Sequence, residues 1–184
     1  GFIETVPAYA STTIFFDFYK VKQTYSQFPT AFEAVKTFVV NALKNLEISV
    51  EIKRKTIKIP ISFDKTFALD LDFVAETNNL FPDDIINIFT SQIYRVYMLG
   101  FLPGFAYMGE VDERIAVSRK DSPRLKVPKG SIGIAGRQTG IYPLESPGGW
   151  QIIGRTNLEM FEVSMKNPFL LQTGDLVKFY EHSL

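Results

Sequence analysis

A cluster of basic residues in the second half of the chain could bind an anion. Between Asp112 and Arg137 the chain has seven basic and three acidic side chains, although its formal net charge is zero. An arginine held by rigid neighbours can grip a carboxylate or phosphate with both ends of its guanidinium. Arg124, between Pro123 and Pro128, is the best-placed candidate, and we predict that it binds substrate. The alternative is a solvated loop face, which charge alone favours.

The run from Gly136 to Trp150 combines uncharged polar side chains with glycine. Such side chains donate and accept hydrogen bonds, and glycine lets a ligand approach the backbone, so the run suits a small polar amide or acid. The alternative is a pair of tight β-turns with Trp150 in the core. The predicted catalytic donors are Gln138 and Tyr142, and the predicted substrate contacts are Gly136, Thr139, Ser146, Gly148 and Gly149.

Two further groups complete the predicted site. Arg155 follows an apolar run that begins at Trp150, and its guanidinium either joins Arg124 as a catalytic residue or pairs on the surface. Aromatic residues alternate with turn formers before Gly109, where they form either an apolar wall for a ligand or partner, or part of the core. The residues predicted for this wall are Phe101, Pro103, Phe105 and Tyr107.

The composition excludes several kinds of chemistry. Cysteine is absent and His182 is the only histidine, so neither a thiolate nor a histidine metal site is expected, and no metal is predicted. Because the net charge is zero, the chain has no overall positive potential that would attract it to nucleic acid or to a membrane surface. There is no run of about 18 apolar residues, and the start lacks a basic segment followed by an apolar one, so we expect a cytoplasmic protein.

The chain also lacks the familiar motifs of autonomous enzymes. It contains no phosphate-binding loop, no dinucleotide fingerprint and no nucleophile elbow. If a reaction takes place here, we expect another polypeptide to contribute to it.

The elements that must position these residues can be predicted in outline. Apolar residues at helical spacing, with Thr30 and Glu33 as a capping box, predict a helix over 31–46. Asp70 is predicted to cap a short helix and Pro82 to start another, which ends near Phe89. Alternating residues over 48–61 predict a strand, and further strands are expected at 93–99 and 176–180.

The glycine and proline pattern predicts a compact β-structure. Ten of the twelve glycines and five of the ten prolines lie between Gly100 and Thr156, where they alternate with short apolar runs typical of strands. Pro60 is predicted to separate two domains. The sequence therefore predicts an α+β domain over 1–60 and a β domain carrying the site over 61–184.

Several motifs in this region resemble those of one family. The stretch VYMLGFLPGFAYMGEVDERIAVSRKDSPRLKVPKGSIGIAGRQTGIYPLESPGGWQIIGRT closely resembles the signature of allophanate hydrolase subunit 1, also called the 5-oxoprolinase B subunit, the family of the KipI kinase inhibitor. Weaker similarity includes VPAY near the start and TGDLVKFY near the end. Members usually begin some tens of residues earlier, so we expect a strand and a helix of the first domain to be absent.

The resemblance implies a fold and an activity. The implied fold is mainly β, with a small, truncated ferredoxin-like α+β domain followed by a cyclophilin-like β-barrel. The implied activity is that of the B subunit of an ATP-dependent 5-oxoprolinase, which opens the lactam of 5-oxoproline to glutamate. Partners would be a C subunit that resembles biotin-dependent carboxylases and a LamB/YcsF-like A subunit. The complex would use ATP, and this chain alone would bind no cofactor.

The resemblance also implies an alternative function, and the chain differs from many family members at one position. The KipI likeness implies an inhibitor that binds a sensor histidine kinase, with the GFLPGF surface gripping a helical hairpin. Prolyl isomerisation is a weaker idea, because fold does not carry function. Many members have a histidine where this chain has Phe89, so we expect no proton transfer at that position here.

Overall fold

The computed structural model describes residues 1–45 and 55–183. The chain divides into two compact units, Gly1–Lys53 and Arg54–Leu184. The division therefore falls before Pro60, the predicted boundary, because Pro60 lies inside a strand of the second unit.

The first unit contains a β-hairpin and two helices. Strands β1 (Phe2–Pro7) and β2 (Thr12–Phe16) pair antiparallel, and helices α1 (Phe18–Thr24) and α2 (Ala31–Lys44) follow. The Thr30 hydroxyl accepts a hydrogen bond from the Glu33 N–H at 3.1 Å, so the predicted start of α2 is confirmed. The predicted ferredoxin-like arrangement is not confirmed in the described residues. Of the predicted strand over 48–61, the first half lies outside them, and 56–61 is a strand of the second unit.

The second unit contains the remaining elements. Its helices are α3 (Leu71–Thr77) and α4 (Pro82–Ser91). Its strands are β3 (Thr56–Ile61), β4 (Tyr94–Leu99), β5 (Ala106–Gly109), β6 (Arg124–Val127), β7 (Ser131–Ala135), β8 (Gln138–Ile141), β9 (Ser146–Gly148), β10 (Gln151–Arg155) and β11 (Leu176–Glu181). A short 3-10 helix, Glu113–Ile115, precedes β6.

Seven of these strands form a nearly closed barrel. Their order is β10-β7-β8-β5-β4-β11-β3, and β6 pairs with β9 as a separate ribbon. Ser62, which follows β3, exchanges two backbone hydrogen bonds with Arg155 of β10, at 2.8 and 3.0 Å. These bonds join the first and last strands of the sheet, so the prediction of a β-barrel-like second domain is confirmed.

The apolar side chains that point inward fill the barrel. Strand residues alternate between the two faces, and the inward set includes Met108, Ile132 and Ile141, which are fully buried in one core. Phe89 of α4 belongs to the same core, where its ring lies 5.0 Å from the rings of both Tyr94 and Phe179. Phe89 is therefore a packing residue, consistent with the expectation that it transfers no proton.

Helix α4 begins as its sequence predicts, and both helices of the second unit lie against the barrel. Pro82 is the first residue of α4, and the Asp84 carboxylate accepts a hydrogen bond from the Phe81 N–H at 3.0 Å. Helix α3 packs against β10, and α4 packs against β11. Among the helices in 1–45 and 55–183, none has the length and apolar character needed to cross a membrane.

Candidate functional site

A recess of about 500 Å³ lies over the outward faces of β5, β7 and β8, beside the β6–β9 ribbon. The residues that alternate outward on or beside these strands, including Phe105, Tyr107 and Gln138, point away from the barrel core. The lining residues are Phe101, Phe105, Tyr107, Ser118, Arg119, Pro123, Ala135, Gly136, Gln138, Tyr142, Pro147, Gly148, Gly149 and Trp150.

Aromatic rings form the floor of this recess. Phe105 is central, because its ring centroid lies 4.8 Å from that of Tyr107, 5.3 Å from Tyr142 and 5.5 Å from Trp150. The edge-to-face angles with Tyr142 and Trp150 are 83° and 85°, an arrangement that aromatic pairs favour. Gly140 makes this possible, because a Cβ there would lie 2.8 Å from the Phe105 ring.

Two uncharged polar side chains supply hydrogen-bonding groups. Burial raises the pKa of Tyr142 above its ordinary value of 10, although a backbone hydrogen bond from Trp150 and the nearby Arg119 charge act in the opposite direction. Its hydroxyl therefore stays protonated at neutral pH. The Gln138 amide is half-buried and has no hydrogen-bond partner within the described part of the chain.

The β6–β9 ribbon forms one wall and brings Gly148 against Tyr142. A Cβ at position 148 would collide with the Tyr142 hydroxyl and lie 2.8 Å from its ring. A Cβ at Gly149 would meet only Pro123, at 3.5 Å, and the Lys120 carbonyl at 3.6 Å, which are ordinary contacts. Gly148 is thus needed for the packing of Tyr142, a reason that its sequence pattern does not reveal.

The structure brings together eight of the thirteen residues that the sequence predicts for the site. These are Gln138, Tyr142, Phe101, Phe105, Tyr107, Gly136, Gly148 and Gly149. Trp150 also lines the recess, although it is 5% exposed and belongs to the packed aromatic cluster. Phe105, Tyr142 and Trp150 are therefore core residues at the border of the recess, whereas Phe101 is 60% exposed at its edge.

Sequence reasoning missed Arg119 as a site residue. It lies in the basic cluster, but nothing in the pattern distinguishes it from the six other cations. The prolines at 123 and 128 favoured Arg124 instead, because they indicate a rigid backbone around it. Ser118, Pro123, Ala135 and Pro147 were missed as well, because short or apolar side chains carry no chemical signal.

Arg124 does not line the recess. Its guanidinium binds Asp70 through both ends, with Nη1–Oδ2 at 2.8 Å and Nη2–Oδ1 at 2.7 Å. Lys120 reaches the same carboxylate at 3.2 Å, and the Ile152 N–H donates to it at 2.7 Å. Asp70 precedes α3 as predicted, yet its side chain does not cap that helix, because these partners occupy it.

The Asp70 carboxylate is held in its ionised form. Burial alone would raise its pKa, but the hydrogen bonds from Arg124 and the Ile152 N–H, with the Arg124 charge, outweigh burial and lower the pKa below its ordinary value of 3.8. The pair therefore fixes the start of β6 to the barrel, and the Arg124 guanidinium is occupied by Asp70 outside the recess.

Arg155 also lies outside the recess. Its backbone closes the barrel through Ser62, and its guanidinium carbon lies 5.4 Å from the centre of the Phe67 ring. Its Nε is buried without a hydrogen-bond partner in the described part of the chain. The two arginines therefore have separate partners, Asp70 for Arg124 and Phe67 for Arg155, and neither lines the recess.

The other three predicted contacts are placed elsewhere as well. Thr139 is fully buried, and its hydroxyl donates to the Gly133 carbonyl at 2.9 Å. The Ser146 hydroxyl is buried and meets no hydrogen-bond partner among the described residues, whereas Pro103 is exposed in the loop before β5. Residues 1–45 and 55–183 contain no group of three or more His, Cys, Asp or Glu side chains arranged to hold a metal ion.

The chain matches the model of one protein family over residues 1–171, described as the carboxyltransferase domain, subdomain C and D. It is 46% identical to the 5-oxoprolinase B subunit of Bacillus subtilis over 180 residues, which are 97% of this chain and 75% of that protein. It is 29% identical to the urea amidolyase of Lachancea kluyveri, covering 98% of this chain but 11% of that protein.

Solved structures share the fold. A conserved uncharacterised protein from Pyrococcus horikoshii, PH0987, superposes with a TM-score of 0.67 at 44% identity, over 98% of this chain and 79% of that chain. The urea carboxylase of Kluyveromyces lactis superposes with a TM-score of 0.71 over 100% of this chain and 18% of that chain. At 24% identity, the second comparison supports the fold alone.

Proposed function

Because the chain belongs to the family of allophanate hydrolase subunit 1 and the 5-oxoprolinase B subunit, we propose that it is the B subunit of an ATP-dependent amidohydrolase that opens 5-oxoproline to glutamate. In this reaction water adds across the lactam C–N bond and the ring nitrogen becomes the amino group. The recess on the barrel would hold the lactam ring against its aromatic floor.

The kinds of residue that line the recess are the main support for this proposal. Its lining joins aromatic rings to Gln138, Tyr142 and the backbone of Gly148 and Gly149, a combination suited to a small ring with a polar amide. The Gln138 amide and the Tyr142 hydroxyl would donate hydrogen bonds to the oxygen that becomes negative when the carbonyl is attacked. Preorganised donors of this kind contribute strongly to catalysis.

The residues of the recess also support a reaction that needs a partner chain. The lining of this recess contains no carboxylate and no imidazole, the side chains that most often act as general bases. Phe101 is 60% exposed at its edge and a Cβ at Gly136 would meet open space, so the recess is accessible from outside. A partner such as the carboxylase-like C subunit would supply the base, and ATP would bind to another chain of the complex.

Omitting one chain at a time tests the proposal. Glutamate release from 5-oxoproline should be measured with ATP and all three subunits, and again without this chain. We expect release only from the complete mixture. Equal release without this chain would refute the proposal.

Inhibition of a sensor histidine kinase is the second candidate, and the exposed Phe101 ring favours it. Phe101 is 60% exposed in the loop before β5, where a helical partner could contact it. Phe105, however, is buried and offers no ring to such a partner. If the protein has this function, an excess of it should slow autophosphorylation of the kinase. An unchanged rate would exclude inhibition of the kinase tested.

A further inference from the structure

The cations of the basic cluster are almost all neutralised within the chain. Six of the seven basic residues between Asp112 and Arg137 form ion pairs with carboxylates. These pairs are Arg114–Asp112, Lys120–Asp70, Arg124–Asp70, Lys126–Glu145, Lys129–Glu159 and Arg137 with Glu110 and Glu113. Arg119 alone has no ion pair or side-chain hydrogen bond to any residue that the structure describes.

The unpaired guanidinium belongs to the recess. Arg119 lines it together with Gln138 and Tyr142, and it is the only charged residue in the lining. Its positive charge acts on the hydroxyls of both Tyr107 and Tyr142, where it opposes the rise in pKa that burial causes. The recess therefore has a net positive charge that nothing in its lining balances.

The backbone around Arg119 is fixed on both sides. The Lys120 N–H donates to the Gly149 carbonyl at 2.7 Å, and the Gln151 side-chain amide donates to the Ser118 carbonyl at 3.1 Å. The Lys120 ammonium is in turn held by Asp70. Because this backbone is already fixed, the Arg119 guanidinium loses less conformational entropy on binding an anion than it would on a mobile loop.

We infer that Arg119 is the specificity-determining residue of the recess and selects ligands that carry a carboxylate beside a small ring. The guanidinium would bind the carboxylate through both ends while the ring lies on the aromatic floor. This inference rests on the proposed function and deepens it, because it assigns the negative charge of the substrate to one residue. It replaces Arg124 and Arg155, the residues that the sequence predicted for this role.

The chain provides its own reporter for this inference. Trp150 is the only tryptophan and it lines the recess, so its fluorescence reports on occupancy. We would titrate the purified chain with 5-oxoprolinate, 5-oxoprolinamide, cyclopentanecarboxylate and cyclopentanecarboxamide at constant ionic strength. Each carboxylate is compared with its neutral amide, and each lactam with a ring of the same size that lacks the lactam.

Three variants complete the design. Arg119→Ala removes the charge, and Arg119→Lys keeps the charge without the fork. Arg137→Ala is the matched control, because it removes a cation of the same cluster that is paired with Glu110 and Glu113 and does not line the recess. Thermal unfolding of each variant should first show that it is folded, as expected for an exposed side chain.

The expected result is that both carboxylates bind at least about 10-fold tighter than their amides, in line with the strength of charge-assisted hydrogen bonds. Arg119→Ala should abolish this preference, Arg119→Lys should keep part of it, and Arg137→Ala should keep all of it. Equal binding of acid and amide, absence of carboxylate binding, or an unchanged preference in Arg119→Ala would overturn the inference.

The same titration separates this inference from the proposed function. If the two carboxylates bind equally well through Arg119 and the assembled complex releases no glutamate, the anion selectivity stands and the lactam substrate is wrong. If 5-oxoprolinate and its amide bind equally well and glutamate is released, the function stands and the role of Arg119 is wrong.

Discussion

Arg124 and Asp70 are 54 residues apart in the chain, and their side chains meet through two hydrogen bonds of 2.7 and 2.8 Å. The Ile152 N–H donates to the same carboxylate, and the Asp70 N–H donates to the Ile152 carbonyl at 2.8 Å. One acidic residue thus connects the start of α3, strand β10 and the segment that carries Arg119. Neither Asp70 nor Arg124 lines the recess, but Arg119 and Pro123, which are adjacent in sequence to Lys120 and Arg124, do.

The first prediction concerns the stability of this connection. Asp70→Asn should lower the free energy of unfolding by about 2–3 kcal/mol, because Arg124 and Lys120 would keep their charges beside a group that no longer balances them. Urea unfolding measures the change. Glu76→Gln, on the exposed side of α3, is the control and should have little effect. Equal stability of Asp70→Asn and the wild type would contradict the structural role of the pair.

The second prediction concerns pH. The pKa of Asp70 is lower in the folded chain than in the unfolded chain, so its contribution is complete above an unfolded pKa of about 3.9. That contribution is lost as pH falls through the folded pKa, since protonation then favours the unfolded chain. The difference in melting temperature between wild type and Asp70→Asn should therefore be constant above the unfolded pKa and shrink as the pH falls below it. A difference that does not change with pH would count against an ionised Asp70.

The third prediction compares two adjacent glycines. Gly148→Ala should destabilise the chain by about 1–3 kcal/mol, as overpacking typically does, because the new Cβ would collide with Tyr142. Gly149→Ala should be tolerated, since its Cβ would make an ordinary contact with Pro123. Thermal unfolding and the Trp150 emission spectrum provide the two readouts. Equal effects of both substitutions would show that the ribbon does not press on Tyr142 as described.

The fourth prediction concerns the donors of the recess. Gln138→Ala in the assembled enzyme should lower kcat by about 100-fold, the typical effect of removing an oxyanion donor. Tyr142→Phe should lower kcat in the same direction while leaving the packing of the ring intact. Steady-state glutamate release measures both. Turnover at the wild-type rate in both variants would remove these residues from the catalytic machinery.

Local sequence signals predicted the elements of the fold well. Thr30 and Pro82 mark helix starts because caps and first-turn prolines act within a few residues. Strands β4 and β11 lie close to the predicted ranges, 93–99 and 176–180. Closure of the barrel through Ser62 and Arg155 could not be read in this way, because it joins residues far apart in the chain.

The sequence predicted uncharged side chains that line the recess, but it did not predict which cation lines it. Gln138 and Tyr142 line the recess as the clustering of polar residues and glycines indicated. The sequence could not distinguish the seven cations, because their placement depends on which carboxylate each one meets. Asp70, just before α3, pairs with Arg124, and this contact across the fold leaves Arg119 as the residue whose charge faces the recess.

The most direct test of the account is to locate the ligand on the folded chain. Amide chemical shifts of the ¹⁵N-labelled protein should be followed during titration with 5-oxoprolinate. The account predicts that the largest changes fall on residues 118–119, 136–138 and 148–150, around the recess. Changes confined to other residues, such as 159–172 around a second cavity, or no changes at all, would contradict it.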